Sequence, residues 1–304
     1  METSKIETLG QVNQLELLKK QVFSTLDVSE TTRRDYLVRI KHFVDYTKEY
    51  GLNNNTFLEY KRFLGSIDTY SVSTKNKYLI SAKVFLDGLY RLQIIPIKLT
   101  DSIRGFNQSK LHKKNGISSN DIEQLQTFCQ RLDNTKLNQR LRALIALFLF
   151  QGLRQIEVSR LNVSDLDLKN KTAFITGKGR DDKELIHLHP TTVIILQDYL
   201  KIYRLREGAL FRSESNFSNG SRLTTKSIRE IIKTVLNTLD IDGSTHGFRH
   251  YFITKLIQSY KGELLMVSKY SRHRSIQMLE VYNDEIISKD DLPRYYNVFN
   301  EIAL

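Results

Sequence analysis

At 304 residues the chain is long enough for two domains, each with its own core, and 40% hydrophobic content excludes a disordered chain. Lys and Arg number 46 against 34 Asp and Glu, and the net charge of +12 with a pI near 9.5 favours a polyanionic partner such as nucleic acid, or an anionic membrane face. No stretch approaches the roughly 18 uninterrupted apolar residues of a membrane span, METSKIETLGQ lacks the basic flank and apolar run of a signal peptide, and the single Cys129 excludes an internal disulfide or a Cys/His zinc cluster. The expectation is a cytoplasmic protein with no membrane contact, no metal and no cofactor.

From Met1 to about Val28, Leu9, Val12, Leu15, Leu18 and Val22 recur at helical spacing and predict a first amphipathic helix. Ser29 or Thr31 caps a second, with Tyr36, Leu37, Ile40, Phe43 and Val44 on its apolar face. Asn53 to Asn55 form a loop, Thr56 caps a short helix through Leu64, and Ser71 or Ser73 caps another through Leu89, limited by Pro96. Residues 1–104 therefore read as an all-helical domain. Arg33, Arg34 and Lys41 on the second helix, with Lys75 and Lys77 on the fourth, are candidate DNA contacts; as a set they are equally a solvated face. Residues 105–116, polar, basic and punctuated by glycines, read as an interdomain linker whose Lys110, Lys113 and Lys114 can follow a phosphate backbone.

The second domain, 117–304, opens with a helix over Asp121 to Leu132 capped by Ser118 or Ser119. The apolar run ALIALFLF then predicts a buried helix from Arg140 that Gly152 ends, with Arg154 at the start of the next helix, where backbone N–H groups favour anions. Thr172 to Thr176 and Leu185 to Leu188 flank the turn GKGRDD as a β-hairpin with Lys178 at its tip. The wider GxxxxGK[ST] pattern is absent, so nucleotide binding is rejected. Pro190 to Tyr203 and Thr225 to Leu239 read as helices, the second carrying a basic stripe of Lys226, Arg229 and Lys233.

The stretch from Thr245 to Tyr282 concentrates His246, Arg249, His250, His273 and Tyr282. An arginine fork matches the charge of a phosphate under attack, a histidine moves protons near neutral pH, and a tyrosine is a candidate nucleophile. A free phenol, with a pKa of roughly 10, is ionised in only about one copy in a thousand at pH 7, a gap of roughly 4 kcal/mol that cations and a base have to close. Taken singly, each of these side chains is more simply a packed or surface residue, so the case rests on the set.

GLRQIEVSRL, GKGRDD, the His-x-x-Arg-His element at 246–250, His273 and Tyr282 nine residues later, in that order, resemble the tyrosine recombinases, also called the phage integrase family. The resemblance spans most of 117–304 and implies a mainly helical fold: a helical, SAM-like core-binding domain followed by a mixed α+β catalytic domain with a small sheet, as in the two-domain Xer-type and mobile-element members. It implies that Tyr282 forms a 3'-phosphotyrosyl link, Arg154 and Arg249 stabilise the transition state, Lys178 protonates the leaving 5'-oxygen, His246 acts as general base and His273 donates to a phosphate oxygen. It also implies double-stranded DNA recombination sites, other recombinase subunits in a tetrameric synapse, and accessory DNA-bending or directionality proteins as partners. The amphipathic tail, with Leu292, Tyr296, Phe299 and Ile302, corresponds to the segment that family members dock onto a neighbouring subunit. Where the family usually has glycine before its histidine, this chain has Arg272. The alternatives are a type IB topoisomerase-like enzyme and a non-catalytic DNA-binding protein on the same scaffold.

Overall fold

Helices account for most of the described residues, and most of their starts follow a Ser, Thr or Asn. The structure is a computed structural model that describes residues 12–108, 116–177, 179, 182–214, 220–273, 275–283 and 286. The chain divides into two compact units, Met1–Lys110 and Leu111–Leu304.

In the first unit, α1 (Val12–Ser24), α2 (Glu30–Tyr50), α3 (Thr56–Ser66) and α4 (Val72–Arg91) surround a core that includes Phe23, Phe43, Tyr60 and Phe85. Ser29 and Ser71 cap α2 and α4 by accepting backbone N–H groups. Thr56 differs from its expected capping role. It is the first residue of α3, and its hydroxyl accepts the Asn53 N–H at 2.6 Å, while Asn53 Oδ1 accepts the Asn55 N–H. The Asn-rich loop thus satisfies its own backbone before the helix begins. Close approach of α1 to α4 requires Gly88, because a Cβ there would stand 2.2 Å from Val22 Cγ1.

In the second unit, Ser118 and Asp121 form a reciprocal capping box at the start of α5 (Ser119–Arg131). The apolar run lies in α6 (Lys136–Gln151), which begins a turn earlier than the run because the Thr135 hydroxyl accepts the Asn138 N–H. Leu144, Leu147 and Phe148 of α6 are buried in one core with Leu196 and Tyr199 of α8 (Pro190–Tyr203). After α7 (Gln155–Arg160) comes an antiparallel sheet of order β1-β2-β3, made by β1 (Leu166–Asp167), β2 (Thr172–Thr176) and β3 (Lys183–His187). The hairpin pairs Ala173 with Ile186 and Ile175 with Glu184, with Ala173 and Ile175 turned inward and Phe174 out. β1, too short to show a periodicity, joins β2 through Leu166 and Ala173.

Three helices complete the described part: α9 (Thr225–Thr238), capped by Thr224, α10 (Thr245–Ser259), capped by Ser244, and α11 (Leu264–Ser271). Residues 277–283 are helical as well. Ile253 and Ile257 of α10, Val267 of α11, Leu279 and Tyr282 form a small core of their own, which fixes where Tyr282 sits. Among the described residues no helix is long and apolar enough to cross a membrane.

Candidate active site

Gly152 ends α6 in the left-handed region (φ 56°), and an added Cβ would stand 2.3 Å from the Phe252 ring, so only glycine meets both conditions. Its carbonyl faces two guanidinium groups. Arg249 Nη1 donates to it at 2.6 Å, and Arg272 Nη2 approaches at 3.5 Å.

Arg154 stands at the N-cap of α7, its side chain 35% exposed. Glu157, three residues on and 2% exposed, reaches back with Oε2 to the Arg154 backbone N–H at 2.8 Å and with Oε1 to Arg154 Nη1 at 2.9 Å. Arg272 Nη2 donates to the same Oε2 at 3.2 Å, so one carboxylate is shared by two guanidinium groups. Burial pushes the Glu157 pKa up, but Arg272, then the backbone N–H and guanidinium of Arg154, outweigh it and hold the carboxyl below its ordinary range. With Arg154, Arg249 and Arg272 around one ionised Glu157, the site keeps a net positive charge.

The Arg249 side chain leaves the first turns of α10 and is 2% exposed. Nη2 donates to the Ser271 carbonyl at 2.6 Å and lies 3.5 Å from His273 Nε2. Burial, then Arg154 and Arg272, push the Arg249 pKa down to about 9, which leaves it cationic at pH 7. His273 Nδ1 is 2.8 Å from Ser271 Oγ. Burial, then Arg249, Arg154, Arg272 and His246, push the His273 pKa down to about 3, so its ring is neutral at pH 7. Arg272, between Ser271 and His273, holds a left-handed backbone (φ 57°, ψ 42°), a conformation that costs a residue with a Cβ roughly 1–2 kcal/mol. Its guanidinium, donating to the Gln151 carbonyl at 3.1 Å and to Glu157, ties the end of α6 to the His273 turn.

Tyr282 is 6% exposed, and its hydroxyl lies 3.4 Å from His250 Nε2. The His250 ring packs on Tyr282 at 4.9 Å between centroids and meets the His246 ring edge-on at 5.0 Å. His246, Arg249 and His250 share one side of α10 through their spacing of three and four. Gln155 at the start of α7 donates to Thr245 Oγ1, joining the two helix starts that carry the arginines.

Of the residues singled out in the sequence, Arg249 and His273 thus meet at Ser271, with Arg249 also on the Gly152 carbonyl, Arg154 is tied to Arg272 through Glu157, and His246 and Tyr282 gather on His250. Lys178, Lys110, Lys113 and Lys114 lie outside the described residues. Arg33 is held within its unit: it donates to the carbonyls of Phe23 and Leu26, each at 2.9 Å, and closes the turn between α1 and α2. Lys75 likewise donates to the Gly65 carbonyl at 2.8 Å. Arg34, Lys41 and Lys77 are exposed, as are Lys226, Arg229 and Lys233 on α9. Sequence reasoning assigned no part to Ser271, to the Gly152 carbonyl or to His250 on the tyrosine hydroxyl. His250 had a signal in its spacing from His246; Ser271 had none, because its contact depends on the turn that follows α11.

The family model described as "Phage integrase family" matches residues 116–287. The chain is 27% identical to the tyrosine recombinase XerC of Oceanobacillus iheyensis over 310 residues, covering 94% of this chain and 96% of that one. It is 28% identical to XerD of the same organism over 298 residues, covering 84% and 95%. Its fold is similar to that of XerH site-specific recombinase bound to palindromic difH substrate in a post-cleavage complex, with a TM-score of 0.71 at 20% identity over 96% of this chain and 85% of that one. It is also similar to the Tn1549 transposon integrase in complex with a circular intermediate DNA, with a TM-score of 0.60 at 17% identity over 89% and 94%.

Proposed function

The chain belongs to the phage integrase family, and from that premise we propose that it cuts and rejoins DNA with Tyr282 as the nucleophile. It is a tyrosine-type site-specific recombinase. The phenolic oxygen of Tyr282 bonds to phosphorus as the bond to the 5'-oxygen breaks, leaving a 3'-phosphotyrosyl link that conserves the phosphoester. The released 5'-hydroxyl of a partner strand then attacks that link and frees the tyrosine. Arg154 and Arg249 match the charge that develops on the phosphate, His273 donates to a non-bridging oxygen, and Lys178 gives the leaving 5'-oxygen its proton. The placement of Arg249 and His273 against each other at Ser271, with the Arg154 charge acting on both, carries this reading.

His246 takes the tyrosine proton in the family's scheme. A second reading is favoured by the contact between the Tyr282 hydroxyl and His250 Nε2, which makes His250 the base. Separate alanine variants at 246 and 250 decide between them: the base is the residue whose loss slows cleavage most and removes its dependence on pH near neutrality.

The test of the whole reading is a nicked duplex carrying the cognate site, incubated with the protein and denatured. A covalent adduct is expected from the wild type and none from Tyr282→Phe; an adduct that persists in that variant overturns the assignment. The protein works in the cytoplasm as a tetramer on paired sites, with the tail beyond Asn283 reaching a neighbouring subunit. An apolar cavity of about 760 Å³, lined by Leu125, Ile145, Leu149, Ile195 and Leu256 among others, offers an acceptor for the apolar Leu292, Tyr296, Phe299 and Ile302 of a neighbouring tail. Truncation after Asn283 should abolish cooperative assembly on DNA while leaving single-site binding intact; unchanged cooperativity refutes tail exchange.

A further inference from the structure

Ser271 occupies the last position of α11 with no exposed surface, and two of its groups touch the site: its carbonyl accepts from Arg249, and its hydroxyl meets His273 Nδ1. His273 is faced by the cations Arg249, Arg154 and Arg272 and by His246, and its neutral ring carries a single proton. An arginine only donates, so where Arg249 Nη2 approaches Nε2, that nitrogen presents its lone pair and the proton sits on Nδ1, donated to Ser271 Oγ. A phosphate oxygen also offers only lone pairs. To bind one, His273 has to carry its proton on Nε2, which leaves Nδ1 in need of a donor on its buried side.

We propose that Ser271 is the positioning residue that lets His273 change tautomer, its hydroxyl accepting from Nδ1–H in the protein alone and donating to bare Nδ1 when Nε2–H meets the phosphate. The inference rests on the reading that His273 donates to the scissile phosphate. A hydroxyl suits the task because its hydrogen rotates and it serves as donor or acceptor without moving its oxygen. The proton that leaves Nδ1 exchanges with solvent and one is gained on Nε2, so the ring stays neutral and no charge is transferred. Alanine at 271 offers neither role.

The direct test is nitrogen NMR of the full-length Tyr282→Phe protein labelled with ¹⁵N-histidine, alone and saturated with the nicked cognate duplex. The His273 signals should report Nδ1–H alone and Nε2–H in the complex; the same tautomer in both states overturns the proposal. The kinetic test is single-turnover adduct formation by Ser271→Ala, with Tyr282 intact, at saturating DNA. Cleavage should slow about tenfold or more, the size expected when a buried nitrogen loses its partner, with DNA affinity unchanged. Because the effect acts through His273, the double variant Ser271→Ala/His273→Ala should cleave no more slowly than His273→Ala alone. A further slowing in the double variant, or a wild-type rate in Ser271→Ala, also overturns it. If instead His273→Ala itself cleaves at the wild-type rate, the failure belongs to the underlying assignment of His273.

Discussion

Glu157 and His273 make the site's pH behaviour calculable in sign. Glu157 has a folded pKa below the ordinary carboxyl value of 4.5, so its contribution to stability is complete above that pH and is lost as the pH falls towards the folded pKa. His273 stays neutral in the fold down to about pH 3, whereas the unfolded ring takes a proton near 6.5, so the unfolded state binds more protons in between and stability falls as pH drops through that window. The melting temperature should decline from pH 6.5 downwards. His273→Gln should flatten the decline above pH 5, whereas Glu157→Gln should lower the melting temperature most above about pH 4.5 and flatten the decline only below it, which circular dichroism melts across the range will distinguish. Arg249→Lys tests the fork: lysine keeps the charge but cannot serve the Gly152 and Ser271 carbonyls and a phosphate together, and the rate of adduct formation should fall by about 10² to 10³.

At the scale of the element, the ends of helices matter more than their middles. Gly152→Ala adds a Cβ in a left-handed backbone and against the Phe252 ring, and should destabilise the protein by roughly 2 kcal/mol or more while shifting the carbonyl that holds Arg249. Ser118→Ala removes the capping box of α5 and should cost about 1 kcal/mol of stability. Denaturant unfolding measures both. These ends were largely legible beforehand, since a hydroxyl one residue before a helix and a glycine after an apolar run have local causes. Thr56 was misread because it is already inside the helix and its hydroxyl reaches back to the Asn53 N–H of the preceding loop, and β1 went unseen because two residues show no alternation.

Across the whole molecule, charge sets how it meets DNA. Lys226, Arg229 and Lys233 project from one face of α9 as exposed cations, whereas Arg33 and Lys75 hold backbone carbonyls of their own unit. Replacing Lys226, Arg229 and Lys233 together by alanine should weaken binding to all DNA sequences alike and lower the slope of log affinity against log salt by up to about 3, read from titrations at several salt concentrations. The same replacement of Arg33 should leave that slope unchanged and lower the melting temperature instead. By itself the sequence determined the helical class, most caps, the hairpin and the order in which Arg154, His246, Arg249, His273 and Tyr282 occur, because propensity, capping and spacing act over a few residues. Only the tertiary structure decided that Glu157 is shared by Arg154 and Arg272, that Ser271 touches both Arg249 and His273, and that His250 is the ring on the Tyr282 hydroxyl. Those contacts join segments up to 115 positions apart, and the packing of α6, α10 and α11 brings them within hydrogen-bonding reach.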